Sequence, residues 1–437
     1  MEPVELLEKV RRRDFSVGVV GLGRVGLPLA LAYAVRGIRT YGVDLDEARL
    51  AAIRNGEMPF QEIDGKEAML QIKDSDILQV AANYDILHAA DAIFITVGTM
   101  LNNEMRPDYQ YLERALANLA GILHPVQLVM LRSTVAPGTL SKRVAPFMAR
   151  HLQLRPGEDI LLASAPERIA AGFALRELPG LPEVVGGIND VSTEVASEVL
   201  KTLNPDKKVF KTSPEGAELS KLFTNVYRYV TFALANEFAL LGEVHGVDAH
   251  QIIQFANQDY PRGGIPRPGP CGGPCLAKDG YFLVEDLTFP DFILTAWKLN
   301  EGVPAHVVRR LKHRLQQHGQ PLVGARVCVL GLGFKAESDD TRQSPAVRII
   351  DLLRAEGADV VVSDPFHESA DIATGVEGAA AIVLATNHAA FRDVPAMAQV
   401  KNANPRPVLV DCWGDWDTEQ TRAAGFELIV FGKGEEE

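Results

Sequence analysis

The sequence predicts an α/β chain of two doubly wound parallel-sheet domains joined by a central all-helical domain with a long connecting helix. Three observations predict it. A short apolar strand runs into a glycine-bearing turn and then a helix twice, from Phe15 and again from Ala325. Between the two, a helix-period apolar pattern persists for some thirty residues from Ser213, longer than most globular helices. The 437 residues also exceed what one core organises, so two or three domains are expected. The boundaries fall at 1–205, 206–310 and 311–437, with the outer two Rossmann-like.

The first domain opens with FSVGVVGLGRVGLPLALAYAVRG: strand, Gly21-x-Gly23-x-x-Gly26, helix. TYGVDLD then closes a second strand on Asp44, eighteen residues beyond Gly26. Gly21 permits the tight turn, Gly23 lets a pyrophosphate approach the backbone, and Gly26 lets the helix pack on the strand. Arg24 and Val25 complete the turn, and the helix start offers free N–H groups and a partial positive charge to phosphates. Asp44 is placed to bond ribose hydroxyls and to repel a phosphate, which makes NAD the expected cofactor; Arg49 weakens that preference slightly and joins the cofactor set. Further strands end in small polar residues at DAIFITVGT, VQLVMLRST and DILLASAPE. Strand ends line the ligand crevice of an open parallel sheet, so Thr99, Thr134 and Glu167 are expected to face the cofactor, against the plainer reading of turn or cap residues.

In the long helix, Pro214 and Glu215 suit the first turn and Gly246 the end. Lys221, Asn225 and Arg228 lie three and four residues apart, hence on one face, which is either solvated or turned to a ligand. The third domain repeats the first weakly: ARVCVLGLGFKAESDDTRQSPAVRIIDLLRAEGADVVVSDP gives strand, Gly331-x-Gly333-x-x-Ala336, helix, strand and Asp364. Phe334 and Lys335 fill its turn, and a bulky cationic turn suits a phosphate bound beside it better than a dinucleotide lying over it.

Composition removes other classes. No window holds the roughly 18 uninterrupted apolar residues of a membrane span, and MEPVELLEKVRRRDF lacks the apolar stretch of a secretory signal, so a cytoplasmic protein is expected. A net charge of −13 argues against a nucleic-acid partner, which would call for a broad basic face; Arg11 to Arg13 read as a solvated helix end. The four cysteines are too few for a disulfide scaffold, and CGGPC has no second Cys or His pair nearby, so no metal is expected. Cys328, inside VCVLGLG, reads as core, and Cys271 as structural. Cys275 differs: it follows flexible glycines in IPRPGPCGGPCLAKDGYF and sits near a helix start. There, with Lys278 and Lys221 to favour its thiolate, it reads as a nucleophile. Beside an NAD site such a thiol adds to an aldehyde, and the adduct loses hydride to become a thioester.

The segments VGLGRVGLP, LRSTVAPGT, SAPERIAAG, ELSKLFTNVYR, PGPCGGPCLAKD and GLGFKAESDDTRQSP resemble the UDP-glucose/GDP-mannose dehydrogenase family along essentially the whole chain. The resemblance implies an NAD-binding domain, a central helical domain that forms a homodimer, and a C-terminal domain gripping the nucleotide diphosphate of a UDP-sugar. It implies a four-electron oxidation of a sugar C6 alcohol to a uronic acid, with two NAD consumed, for polysaccharide biosynthesis. Cys275 matches the family nucleophile, and Lys221 and Asp279 the pair that handles protons and oxyanions. Asn225 matches the residue that joins them around C6, and Thr134 and Glu167 match contacts to a water, with Glu167 the base for thioester hydrolysis. Lys335 and Arg342 match residues at the diphosphate and the cofactor; Lys278 joins the cofactor side. Arg168, Arg228, Gly272, Gly273 and Phe334 complete the substrate set, with Arg262 as an arginine reaching the partner subunit's site. Two positions depart from the pattern: Ala171 replaces an acid, and Trp413 replaces the arginine of Asp-x-Arg.

PERIAAGFALRELPGLPEVVGG resembles the branch that oxidises UDP-N-acetylhexosamines, so UDP-N-acetyl-D-mannosamine or its glucosamine epimer is the expected substrate, with UDP-glucose next. A β-hydroxyacid dehydrogenase also joins such a domain to a long helix, but needs neither Cys275 nor a second nucleotide domain. A nucleotide sensor would have no use for an acyl nucleophile.

Overall fold

The computed structural model describes residues 2–73, 75–152, 154–397, 400 and 406–434. It divides into two compact units, Met1–Thr224 with Tyr281–Leu287, and Asn225–Gly280 with Thr288–Glu437.

The first unit is built on an eight-stranded sheet in the order Val209–Lys211, Glu183–Gly187, Leu161–Ser164, Leu128–Leu131, Ala92–Ile95, Ser16–Val20, Arg39–Val43, Leu78–Ala81. Its central strands are buried at every position, as required when helices cover both faces of a parallel sheet. Pairing is parallel except between Leu161–Ser164 and Glu183–Gly187, which run antiparallel. The strand order reverses between Ser16–Val20 and Ala92–Ile95, and the open crevice of such a sheet lies at that reversal. One apolar layer, containing Leu27, Leu31, Phe94 and Met130, packs on one face. Another, containing Ile93, Ile95, Leu131, Leu222 and Phe282, packs on the other.

The second unit holds a five-stranded, wholly parallel sheet in the order Asp359–Ser363, Arg326–Leu330, Ala381–Leu384, Val408–Asp411, Leu428–Val430. Cys328 is fully buried within it. The same unit contains the C-terminal part of the helix Pro214–Val244, the helix Ala249–Asn257 and the helix Asp291–Gln317. The long helix runs 31 residues and stops just before Gly246, whose φ of 68° a glycine adopts without strain. Polar groups tie these helices together: Asn236 donates to Asn300 at 3.0 Å, Asn300 donates to the Tyr229 carbonyl at 3.0 Å, and Glu243 pairs with Arg310 at 2.7 Å. Trp297 is fully buried, edge-on to Tyr229 at 4.3 Å. Two Rossmann-like sheets joined by long helices are thus the architecture the sequence predicts. Arg11 to Arg13 are exposed, and among the described residues no helix is long and apolar enough to cross a membrane.

Candidate active site

The first glycine turn has the geometry its spacing predicts. Gly21 sits at φ 93°. A Cβ at Gly26 would lie 1.8 Å from the Gly21 carbonyl oxygen, so only glycine lets the helix Gly26–Ala34 approach the turn. A Cβ at Gly23 would meet nothing within 4 Å, and this open space is where a pyrophosphate would reach the backbone. Asp44 is buried at the end of Arg39–Val43 and accepts the Leu22 N–H at 2.7 Å and the Asp46 N–H at 2.9 Å. Arg49 donates to the same carboxylate at 2.8 Å, and Arg24 lies over the Phe60 ring. The turn therefore fits a dinucleotide.

Thr99, Thr134 and Glu167 all lie beyond the ends of adjacent strands, as the sequence predicts. The Thr99 hydroxyl donates to the Thr134 carbonyl at 2.5 Å. Glu167 is buried. One oxygen accepts the Arg168 and Ile169 N–H groups at 2.7 and 3.2 Å, while the other accepts Arg132. Burial opposes its charge, but the Arg132 guanidinium, the Arg168 N–H and the Lys221 ammonium outweigh that and hold the carboxyl below its usual range. Lys221 itself is buried. Sequence reasoning missed this clamp. Arg132 is fully enclosed and also binds Glu183 at 2.9 Å, and Glu183 in turn meets the buried Lys207 at 3.3 Å.

In the second unit the helix Leu276–Val284 starts directly after Cys275, whose carbonyl accepts the Lys278 and Asp279 N–H groups. Cys275 is exposed. Asp279, one turn on, is completely buried; it accepts Asn225 Nδ2 at 2.6 Å and meets Lys278 Nζ at 3.1 Å. The long helix thus buries Lys221 and Asn225, whereas Arg228 on the same helix is exposed. Arg262 is exposed too and stacks on Tyr260. Burial pushes the Cys271 thiol up to about 12.

The glycines of the cysteine loop lie close against other parts of their own unit. A Cβ at Gly269 would lie 2.5 Å from the Trp413 ring, one at Gly272 2.5 Å from the Gln343 carbonyl, and one at Gly273 2.8 Å from the Phe334 ring. The Gly273 N–H also bonds the Gln343 carbonyl at 3.0 Å. These glycines seat the loop against the Rossmann-like sheet domain of its own unit. Lys335 is half-buried beside Phe334. Arg342 is gripped by Asp340 at 2.7 and 2.9 Å, which raises its pKa, and Cys275 lies within its electrostatic reach. The Trp413 indole donates to the Ala385 carbonyl at 3.0 Å.

Comparison with known proteins agrees with this layout. Descriptions of the UDP-glucose/GDP-mannose dehydrogenase family match residues 15–204 as its NAD binding domain, 215–301 as its central domain and 328–418 as its UDP binding domain. A UDP-N-acetyl-D-mannosamine dehydrogenase of Pyrococcus horikoshii is 34% identical over 86% of this chain and 90% of its own. The solved structure of a Pyrococcus horikoshii UDP-D-ManNAc dehydrogenase superposes with a TM-score of 0.89 at 32% identity, covering 96% of this chain and 99% of that one. A UDP-glucose dehydrogenase from Pyrobaculum islandicum reaches a TM-score of 0.80 at 28% identity, covering 95% and 96%. With both nucleotide-type turns, the connecting helices and the cysteine loop accounted for, the chain belongs to the UDP-glucose/GDP-mannose dehydrogenase family, NAD-dependent oxidoreductases of nucleotide sugars.

Proposed function

We propose that the chain oxidises the C6 hydroxyl of UDP-N-acetyl-D-mannosamine, or of its glucosamine epimer, to the uronic acid. One observation carries the reading: an exposed cysteine immediately precedes a helix whose first turn buries Asp279 against Asn225 and Lys278. NAD, when bound, accepts the hydride in each of the two oxidations. Gly21, Gly23, Arg24, Val25 and Gly26 form its phosphate turn, Asp44 and Arg49 meet its ribose, and Thr99, Thr134, Lys278 and Arg342 complete the cofactor set.

The chain's own groups supply the rest. Asp279 and Lys221 take the proton of the C6 hydroxyl and steady the oxygen as it gains charge. The Cys275 sulfur adds to the resulting aldehyde, forming a C–S bond while the aldehyde oxygen takes up a proton. Loss of the second hydride leaves a thioester. Water then breaks the C–S bond, giving the carboxylate and restoring the thiol. One alcohol, two NAD and one water thus become one carboxylate, two NADH and three protons. Glu167, held anionic, has a lone pair left on the Arg132-bound oxygen to accept a hydrogen bond from water. This suits it to orienting the water, while its lowered pKa makes it a weak acceptor of the proton itself, and its role as base rests on the family match. Arg168, Arg228, Gly272, Gly273, Phe334 and Lys335 are assigned to the sugar nucleotide, with Arg262 serving a second subunit.

The segment 166–187 and the UDP-N-acetyl-D-mannosamine dehydrogenases among its relatives support the sugar assignment, and Trp413 stands where the family pattern has an arginine on the sugar side. We divide the chain into domains at 1–205, 206–310 and 311–437, a reading supported by the family matches to 15–204, 215–301 and 328–418. A homodimer through the central helices is supported by Tyr227, Leu234 and Leu241, exposed apolar residues at seven-residue spacing on the long helix. We place the protein in the cytoplasm, without nucleic-acid partners. An NADH assay across UDP-sugars tests the reading. Two NADH per sugar are expected, and turnover of UDP-glucose alone would overturn the sugar. Cys275→Ala is expected to lower uronate formation by at least ~1,000-fold with nucleotide binding retained; unimpaired uronate synthesis would end the proposal.

A further inference from the structure

We propose that Glu218 is a positioning residue: from within the long helix it fixes the 134–140 loop relative to Lys221, less than one turn further along. The inference rests on the roles proposed above for Lys221, at the C6 oxygen, and for Thr134, in the cofactor set and, by the family match, beside the water. Glu218 is almost fully buried, at 1% exposure. One carboxylate oxygen accepts the Gly138 N–H at 2.6 Å, and the other accepts the Leu140 N–H at 3.0 Å. These donors open the helical segment that runs through a π-turn at Leu140–Val144 into Ala145–Leu152. A helix start leaves its first N–H groups without partners inside the helix, and here a side chain from a distant part of the chain satisfies them. The opposite end of the loop is Thr134, whose carbonyl receives the Thr99 hydroxyl. One carboxylate therefore ties a strand-end threonine to the helix that carries the lysine. Gly138 is part of the device, since its φ of 85° turns the loop back toward Glu218.

Charged and titratable neighbours define how the tie responds to protons. Glu215 stands one turn earlier and accepts Ser141 at 2.5 Å. Lys142 runs along Gly138, Arg143 lies over the Tyr109 ring, the Tyr109 hydroxyl meets Thr139, and Lys221 follows on the helix. Burial is the largest influence on Glu218 and moves it from 4.5 up to about 7, with Glu215 adding to the rise and the backbone N–H groups opposing it. Above about pH 7 both oxygens accept. Below it one carries a proton and becomes a much weaker acceptor for the N–H it faces. Because the folded value lies above the ordinary one, stability falls as pH rises through the window from 4.5 to about 7, even as the tie forms.

Glu218→Gln tests the proposal, since it keeps shape and one acceptor but opposes an NH2 to a backbone N–H. We expect kcat to fall by about 10-fold or more with the KM for NAD little changed, and the acid limb of the kcat profile to lose its component near neutrality. Hydrogen exchange read by mass spectrometry should quicken at Gly138 and Leu140. A lowered Tm with kcat and its pH profile intact would mean a merely structural carboxylate and overturn the proposal. If Glu218→Gln does not fold, Glu218→Asp, which shortens the reach of the same charge, provides the same readouts. Failure of the parent protein to oxidise any nucleotide sugar would count against the function. Exchange at the loop would still decide the tie: unchanged protection at Gly138 and Leu140 in the variant would refute it.

Discussion

At Gly21 and at Gly331 the chain leaves a parallel strand with a positive φ, 93° and 98°. In both turns the next N–H, from Leu22 or Leu332, is accepted by the acid ending the neighbouring strand, Asp44 at 2.7 Å or Asp364 at 2.6 Å. Each acid also accepts the N–H two residues beyond itself, from Asp46 and Phe366. The second glycine separates the two. Around Gly23 there is open space, whereas a Cβ at Gly333 would lie 2.7 Å from the Ser338 carbonyl, because residues 334–340 fold back over it and the Phe334 N–H bonds the Asp340 carbonyl. The first acid is met by Arg49; the second has His388 Nε2 3.5 Å away and a side chain with no exposure. A shared backbone pattern therefore states where a nucleotide-type turn is, and the residues that cover the second glycine decide what can lie on it.

Substitutions at matching positions can break this contrast. The largest effect is expected for Gly26→Ala, whose Cβ would collide with the Gly21 carbonyl at 1.8 Å; a loss of about 3 kcal/mol or more and absent NAD binding should appear in urea unfolding and cofactor titration. Its counterpart Ala336 already carries a Cβ, so Ala336→Gly should cost only about 1 kcal/mol or less. Next comes a crossed pair. Gly23→Ala should leave Tm unchanged but raise the KM for NAD by about 10-fold or more, because only the ligand approaches that space. Gly333→Ala should lower stability by about 1–3 kcal/mol with the KM for NAD unchanged. Equal behaviour of the two glycines would dissolve the distinction.

The acids give a smaller effect with a pH signature. Burial works against the charge of Asp364, but His388 and the backbone N–H groups of Phe366 and Leu332 hold its pKa below 3.8. A depressed carboxylate stabilises the fold above its unfolded pKa, and that contribution is lost as pH falls through the folded value. Asp364→Asn should therefore cost about 1–2 kcal/mol at pH 7 in urea unfolding, shrinking toward zero in acid. Asp44→Asn should act mainly on the KM for NAD. Smallest is Arg49→Ala, which removes a partly exposed pair and should change the preference for NAD over NADP by only a few fold in parallel titrations.

The turns, Asp44, the long helix and the helix start at Cys275 were legible because each is written in a short local pattern. The Arg132 clamp was not: Arg132 and Glu167 lie just beyond two separate strands and Glu183 opens a third, and they meet only once the sheet has formed. Glu218 was hidden similarly, as its partners lie some eighty residues away. The spacing of Lys221, Asn225 and Arg228 promised one stripe, yet burial divides it, since spacing alone does not say where a packed face ends. Glycine content at 272–273 spoke of small residues; whether ligand or protein takes up the vacated volume is a tertiary question.

The seating of Gly269 and Gly273 on Trp413 and Phe334 has a practical corollary for anyone wishing to retarget the sugar. Trp413 and Phe334 are the obvious places to mutate, being an unusual aromatic and a turn residue on the nucleotide side. Both also brace the segment that carries Cys275, the nucleophile proposed above, so redesigning selectivity at either one shifts that proposed nucleophile as well. Compensating changes in the loop would have to be selected together with them.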